Sequence, residues 1–305
     1  MTNLEIGPPK AVEELVSRVK RGDCILFLGA GVHAPPPPNS KYVYPEEERP
    51  PLGGELARRL ADECEFEKQL PFDRPDDLQR ISLCYENTPG LGRKALVDAL
   101  IRELRDGKEP SPALRMLAAL PFKIIVTTNY DQLFEKALHD AGKSEVRLVY
   151  NPAYTTFNDD YMDPSSERPL LFKIHGDLDH RESIVITDED YIGFVQRMSE
   201  KEQCHPVPET VRFHMKKWPT LFMGYSLRDY NLRLLFRTLR WQVDPANVRI
   251  CYSVDMSPDP LILKVWQDQR RFVTFLSKNL WVFAPWLYNE VFAGEDSAQA
   301  TADVG

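Results

Sequence analysis

Short unbroken apolar runs alternate along the chain with stretches in which apolar residues recur every three or four positions. The first periodic stretch begins at Ala11 and carries Val12, Leu15, Val16 and Val19 at the spacing of one helix face, with Gly22 as its stop. Cys24–Leu28 follows without a polar break, the pattern of a strand covered on both faces of a parallel sheet. The same signature returns at Lys123–Thr128, Leu170–Ile174, Ser183–Ile186, Thr220–Met223, Arg249–Val254 and Leu280–Phe283. Helical periods separate several of these runs. Asp131–Ala141 places Leu133, Phe134, Ala137 and Leu138 on one face, and a later segment does the same with Leu232, Leu235, Phe236 and Leu239. Strands alternating with helices predict an α/β fold built on a doubly wound parallel sheet.

Residues from about 54 to 120 contain helical stretches, such as GELARRLADECEFEKQL and GRKALVDALIRELRDG, and no convincing strand. They read as a helical insertion between the first and second strands. Pro35–Pro38, with Pro45, Pro50 and Pro51 after them, exclude helix and central strand, so Val32–Leu52 is expected to be a long loop directly after the first strand. Loops of that length at that place are usually functional. Residues 1–293 are expected to form one domain, and 294–305, which have almost nothing to bury, a disordered tail.

Composition narrows the function classes. The 305 residues hold 46 acidic against 38 basic side chains, a net charge of -8, which argues against an electrostatic grip on nucleic acid or anionic lipid. No apolar run approaches the ~20 residues that span a bilayer, and the start MTNLEIGPPK lacks a signal layout. A cytoplasmic protein is expected. The five cysteines, Cys24, Cys64, Cys84, Cys204 and Cys251, contain no C-x-x-C pair, and Cys204, His205 and His214 find no fourth ligand at a chelating spacing, so no metal site is expected.

Ligands of open parallel sheets bind beyond the carboxyl ends of the strands, so the residues that follow each run are the candidates. These are Gly29-Ala30-Gly31, Asn129-Tyr130-Asp131, His175-Gly176-Asp177 and Gly224-Tyr225-Ser226. Glycines let main-chain N–H groups approach a phosphate, which suits an acidic protein, although neither G-x-G-x-x-G nor G-x-x-x-x-G-K-[ST] is complete. Asp131 can cap the following helix or support Asn129 or His175. His33 lies in the proline loop within reach of the same place. Asp188, Glu189 and Asp190 resemble a capped helix start. Arg233, Arg237 and Arg240 share one helical face, either solvated or, through Arg233, holding a phosphate.

FLGAGV, VTTNYD, FKIHGD and LFMGYSLRD, in this order from about Asp23 to Val254, resemble the sirtuin-like domains of prokaryotic antiphage defence proteins. The resemblance implies a Rossmann-like fold that takes NAD as its substrate. It assigns Gly29, Ala30 and Gly31 to the phosphate turn, Asn129 and His175 to catalysis beside the nicotinamide ribose, and Gly224 with Ser226 to the adenosine side. Asp131 and Arg233 join the NAD-binding set. The two C-x-x-C pairs and the G-I-P-D-F-R loop of protein deacetylases are absent, and VHAPPPP stands in the loop's place. The zinc-lacking, defence-associated branch therefore fits better, and with it an NAD glycohydrolase that depletes NAD on phage infection. Two rivals are a non-catalytic NAD or ADP-ribose sensor and, behind it, a protein deacylase. Standalone members of the branch pair with a HerA-type ATPase, so a homo-oligomer is expected, with Trp281, Phe283, Trp286, Tyr288 and Phe292 as candidate contacts. About fifty residues follow the NAD-binding core from Val254, too few for an ordinary second domain.

Overall fold

The computed structural model of the protein describes residues 7–152, 163–199, 206–225, 227, 250–266 and 273–293. Successive side chains of a strand point to opposite faces, and both faces of the first strand are covered. In β1 (Ile25–Leu28), Ile25 and Phe27 enter one core and Leu26 and Leu28 the other, all of them buried. The strands that follow are β2 (Ile124–Thr127), β3 (Val146–Val149), β4 (Leu170–Lys173), β5 (Thr220–Met223), β6 (Cys251–Val254) and β7 (Val273–Leu276). All pair in parallel, in the order β3-β4-β2-β1-β5-β6-β7. This is the Rossmann-like doubly wound sheet, with its topological switch at β1, which β2 and β5 flank in register.

The helices among the described residues are α1 (Pro9–Lys20), α2 (Gly53–Glu63), α3 (Phe66–Gln69), α4 (Leu78–Asn87), α5 (Arg93–Leu104), α6 (Pro112–Ala119), α7 (Leu133–Asp140), α8 (Asp188–Ser199), α9 (Glu209–Lys217), α10 (Pro260–Trp266) and α11 (Leu280–Phe292). Helices α1, α6, α7 and α11 close one face of the sheet, and α8, α9 and α10 the other. Helices α2 to α5 build a third core around Leu56, Leu60, Phe66, Ile81 and Leu100, which also takes in Tyr130, Ile184 and Ile186. Local sequence explains where several of these helices start. Asp77, Ser111 and Asn279 each accept the N–H three residues on, from Arg80, Leu114 and Val282, and so cap α4, α6 and α11. At α8 the side chains of Thr187 and Asp190 take each other's backbone N–H, the capped start that the acidic run suggests.

Two expected strands are not strands. Leu280–Phe283 opens α11, where Leu280, Phe283, Ala284, Leu287 and Val291 are buried at helical spacing, and the cap at Asn279 sets the start. Ser183–Ile186 leaves a short 3₁₀ turn, Arg181–Ser183, and runs on outside the sheet. Its backbone finds partners outside the sheet: the Val185 N–H donates to the His175 carbonyl, Arg93 to the Ile184 carbonyl and the Tyr130 hydroxyl to that of Val185. Conversely, β3 and β7 were not expected. They are the two edges of the sheet, and several of their residues are only half-buried, which breaks the continuous apolar run. In α11, Trp281 and Phe283 are buried, and Trp286, Tyr288 and Phe292 pack half-buried against the same core. No helix among the described residues is long and apolar enough to cross a membrane.

Candidate active site

Because the strands are parallel, the loops after β1, β2, β4 and β5 gather on one side of the sheet. There they line a cavity of about 140 Å³, to which Ala30, His33, Thr128, Asn129, Asp131, His175 and Tyr225 contribute. Pro50 and Pro51 of the proline loop, Leu56 of α2 and Tyr191 of α8 also line it. A cavity of ~150 Å³ accommodates one aromatic ring, so this one is sized for a single ring or ribose-like group. A wider groove of about 420 Å³ lies around Arg58, Glu65 and Pro75 and includes none of the strand-end residues.

The glycines of the two turns at the switch face each other. The Gly31 N–H donates to the Gly224 carbonyl at 2.9 Å. A Cβ at Gly31 would lie 2.8 Å from that oxygen, and one at Gly29 would lie 2.4 Å from the Tyr225 ring. Gly224 has φ +67, the left-handed region, and a Cβ there would sit 2.2 Å from the Val32 nitrogen. The contact that requires small residues in this structure is thus turn against turn. Gly31→Leu is expected to cost about 1–3 kcal/mol of stability through overpacking, read as a lower urea midpoint. A variant as stable as the wild type would show that the turns part freely.

Asn129, His33 and Asp131 meet at one imidazole nitrogen. His33 Nε2 lies 3.2 Å from Asp131 Oδ2 and 3.3 Å from Asn129 Nδ2. His33 is 2% exposed, and its Nδ1 is buried with no hydrogen-bond partner among the described residues. Asp131 Oδ1 accepts the Leu133 N–H at the start of α7, so one carboxylate serves the helix and the histidine together. Burial alone would raise the Asp131 carboxyl, but His33 and Lys173 hold it below the ordinary aspartate range. His175, after β4, is also buried. Its ring meets those of Tyr191 and Phe194 edge-on, and its Nδ1 lies 3.3 Å from the Tyr191 hydroxyl.

Beneath these residues lies a buried ionic cluster. Lys173, fully buried at the end of β4, sits 3.0 Å from Glu135 and 2.8 Å from Asp177. It also donates to the carbonyls of Tyr130 and Asp131, which ties down the loop that carries Asn129. One cation shared by two carboxylates separates their behaviour. Burial pushes Glu135 up and Lys173 only partly offsets it, whereas Asp177, held by Lys173 and Arg147, stays below the ordinary value of 3.8 despite its burial. A depressed carboxylate stabilises the fold fully above its unfolded pKa, and that contribution disappears as pH falls through the folded value. The urea stability of the wild type is therefore expected to fall below about pH 3.8 more steeply than that of Asp177→Asn. Equal slopes from pH titrations of the urea midpoint would remove Asp177 from the account.

The structure brings together Ala30, Asn129, Asp131 and His175 around the cavity and sets Gly29, Gly31 and Gly224 in the turns beside it. Ser226 and Arg233, with Arg237 and Arg240, lie outside the described residues, as do Cys204, His205 and the 294–305 tail. Sequence reasoning placed His33 within reach of the site but not its contacts with Asp131 and Asn129, and it missed Lys173, Glu135 and Tyr191. Lys173 did leave a signal: a lysine inside a run buried on both faces needs a counter-charge, and Asp177 follows four residues later.

Fold and site together define a Rossmann-like α/β protein with a cavity at the topological switch, at the carboxyl ends of the strands. Within that class, residues 123–272 match the SIR2-like domain, a stretch that includes Asn129, Asp131, His175 and Gly224. The chain is 27% identical over 230 residues to the NAD(+) hydrolase ThsA of Acinetobacter baumannii, covering 75% of this chain and 42% of that protein. It is 28% identical over 232 residues to the NAD(+) hydrolase ThsA of Enterococcus faecium, with the same coverage, 75% and 42%. To the Defense-associated sirtuin 2 of Bacillus subtilis it is 24% identical over 256 residues, covering 82% of this chain and 22% of that protein. The chain thus spans less than half the length of these relatives.

Proposed function

We propose that this chain hydrolyses NAD at the nicotinamide–ribose bond, releasing nicotinamide and ADP-ribose. The observation that carries the reading is the convergence of Asn129 and His175, from two separate strand ends, on a ring-sized cavity at the switch point. Relatives named NAD(+) hydrolase support the choice of substrate.

The reaction asks for little covalent chemistry from the protein. As the C1′–N bond breaks, its electron pair passes to the ring nitrogen and neutralises the pyridinium, leaving an oxocarbenium-like ribose. Water adds at C1′ and loses its proton, which His175 accepts. Asn129 orients a ribose hydroxyl and that water through its amide. In this reading the Gly29-Ala30-Gly31 turn takes the pyrophosphate and Gly224 the adenosine side, with Ser226, Arg233 and Asp131 as the remaining NAD contacts. No metal takes part in this scheme. In the same reading the enzyme is a cytoplasmic, homo-oligomeric defence effector that depletes NAD on phage infection, with a HerA-type ATPase as its partner. The supports for that setting are the motif resemblance and the name of the Bacillus subtilis relative.

Incubation with NAD followed by chromatography tests the reading. Nicotinamide and ADP-ribose released in equal amounts are expected. NAD that binds and is recovered intact would instead make the chain a sensor.

A further inference from the structure

Nε2 of His33 has room for either one hydrogen or one lone pair, yet it faces both the Asp131 carboxylate, at 3.2 Å, and the Asn129 amide, at 3.3 Å. A lone pair directed at a carboxylate is repelled, so Nε2 carries its hydrogen. A protonated Nε2 cannot accept from an N–H of Asn129. The amide must therefore turn its oxygen toward His33, an assignment that the hydrogen-bond network decides in place of the similar shapes of the two amide ends. With the oxygen held there, the NH₂ arm is the one left for a ligand.

The backbone of the loop needs no help from His33. The Asn129 N–H donates to Thr127 Oγ1 at 3.1 Å, and Lys173 holds the next two carbonyls. The conformation of the Asn129 side chain is what His33 adds. A buried imidazole with one nitrogen committed to a carboxylate and the other unpartnered costs stability.

We propose that His33 is a positioning residue: fixed by Asp131, it orients the Asn129 carboxamide so that its NH₂ group is presented to an oxygen acceptor on the substrate, a ribose hydroxyl in the NAD-cleaving reading on which this inference rests. Asn129 is then a donor toward the substrate, which specifies what its amide type alone leaves open.

The test combines spectroscopy with kinetics on the full chain. Nitrogen-15 NMR, with His33 assigned by loss of its signal in His33→Gln, is expected to show Nε2 protonated; a bare Nε2 would overturn the proposal whether or not the chain turns over NAD. In nicotinamide-release kinetics, His33→Phe keeps the ring volume and loses the donor. It is expected to lower kcat by ~100-fold, the scale of a misplaced reacting group, with KM changed less than ~3-fold. His33→Gln, which restores an N–H donor, is expected to recover at least ~10-fold of that loss. Equal kcat for His33→Phe and His33→Gln would reduce His33 to packing. Wild-type turnover in Asn129→Ala would instead defeat the functional reading, while the NMR result still decides the protonation of Nε2 and with it the turn of the Asn129 amide.

Discussion

Asn129→Ala is expected to lower nicotinamide release by at least ~100-fold, the scale of losing the group that positions the ribose and the attacking water, with an unchanged unfolding midpoint. The two halves of this expectation have separate causes. The side chain is only half-buried, and its hydrogen bond goes to His33, so removing it opens no cavity in the sheet core. The loop itself stays clamped from its backbone by Thr127 and Lys173. A matching loss of at least ~100-fold is expected for His175→Ala, the lower range for a positioned acid or base. Here some loss of stability accompanies it, because the ring packs edge-on between Tyr191 and Phe194. Steady-state kinetics beside a thermal melt of each variant separates the two effects. Normal turnover in a folded Asn129→Ala would move the chemistry elsewhere.

Lys173→Met has the largest expected effect on the fold. Truncating one partner of a buried ion pair strands the other, at about 3–5 kcal/mol, and here two carboxylates, Glu135 and Asp177, would be left without their cation. The carbonyls of Tyr130 and Asp131 lose a donor at the same time. Urea unfolding is expected to show a lower midpoint with the slope unchanged. Adding Glu135→Gln and Asp177→Asn to Lys173→Met is expected to recover part of the loss, since the unpaired charges go with them. Full stability in the single variant would mean that Lys173 is dispensable to the cluster.

The central strands are legible in the sequence because the sheet buries them on both faces. β1, β2, β4, β5 and β6 have every residue buried, and each coincides with an unbroken or nearly unbroken apolar run. The edges obey a weaker rule. Val146–Val149 is half exposed and interrupted by Arg147, so its pattern does not stand out from a loop. Leu280–Phe283 misleads for the opposite reason, since α11 is packed into the core and its apolar face is wide enough to read as a continuous run. Ser183–Ile186 is apolar because it fills the space between two cores, and composition cannot tell that from pairing in a sheet.

The candidate site follows the same division. Asn129 and His175 stand out by position alone, as the polar residues just beyond buried strands. His33 is legible only as lying near the same place, because the carboxylate it meets is 98 residues away and only the pairing of β1 with β2 brings it close. Tyr191 is hidden likewise, on a helix whose acidic start draws the eye to its cap. The glycines were legible as a requirement for closeness, but not the partner. Gly31 meets Gly224, a contact between two turns that neighbouring parallel strands create.

Single-turnover nicotinamide release, with the protein in excess over NAD, tests the central claim most directly, because it detects even slow chemistry in the first bound substrate. The account predicts one nicotinamide and one ADP-ribose for each NAD with the wild type, and almost none with Asn129→Ala or His175→Ala. NAD that is bound and recovered intact with the wild type, or release at the same rate by all three proteins, would contradict it.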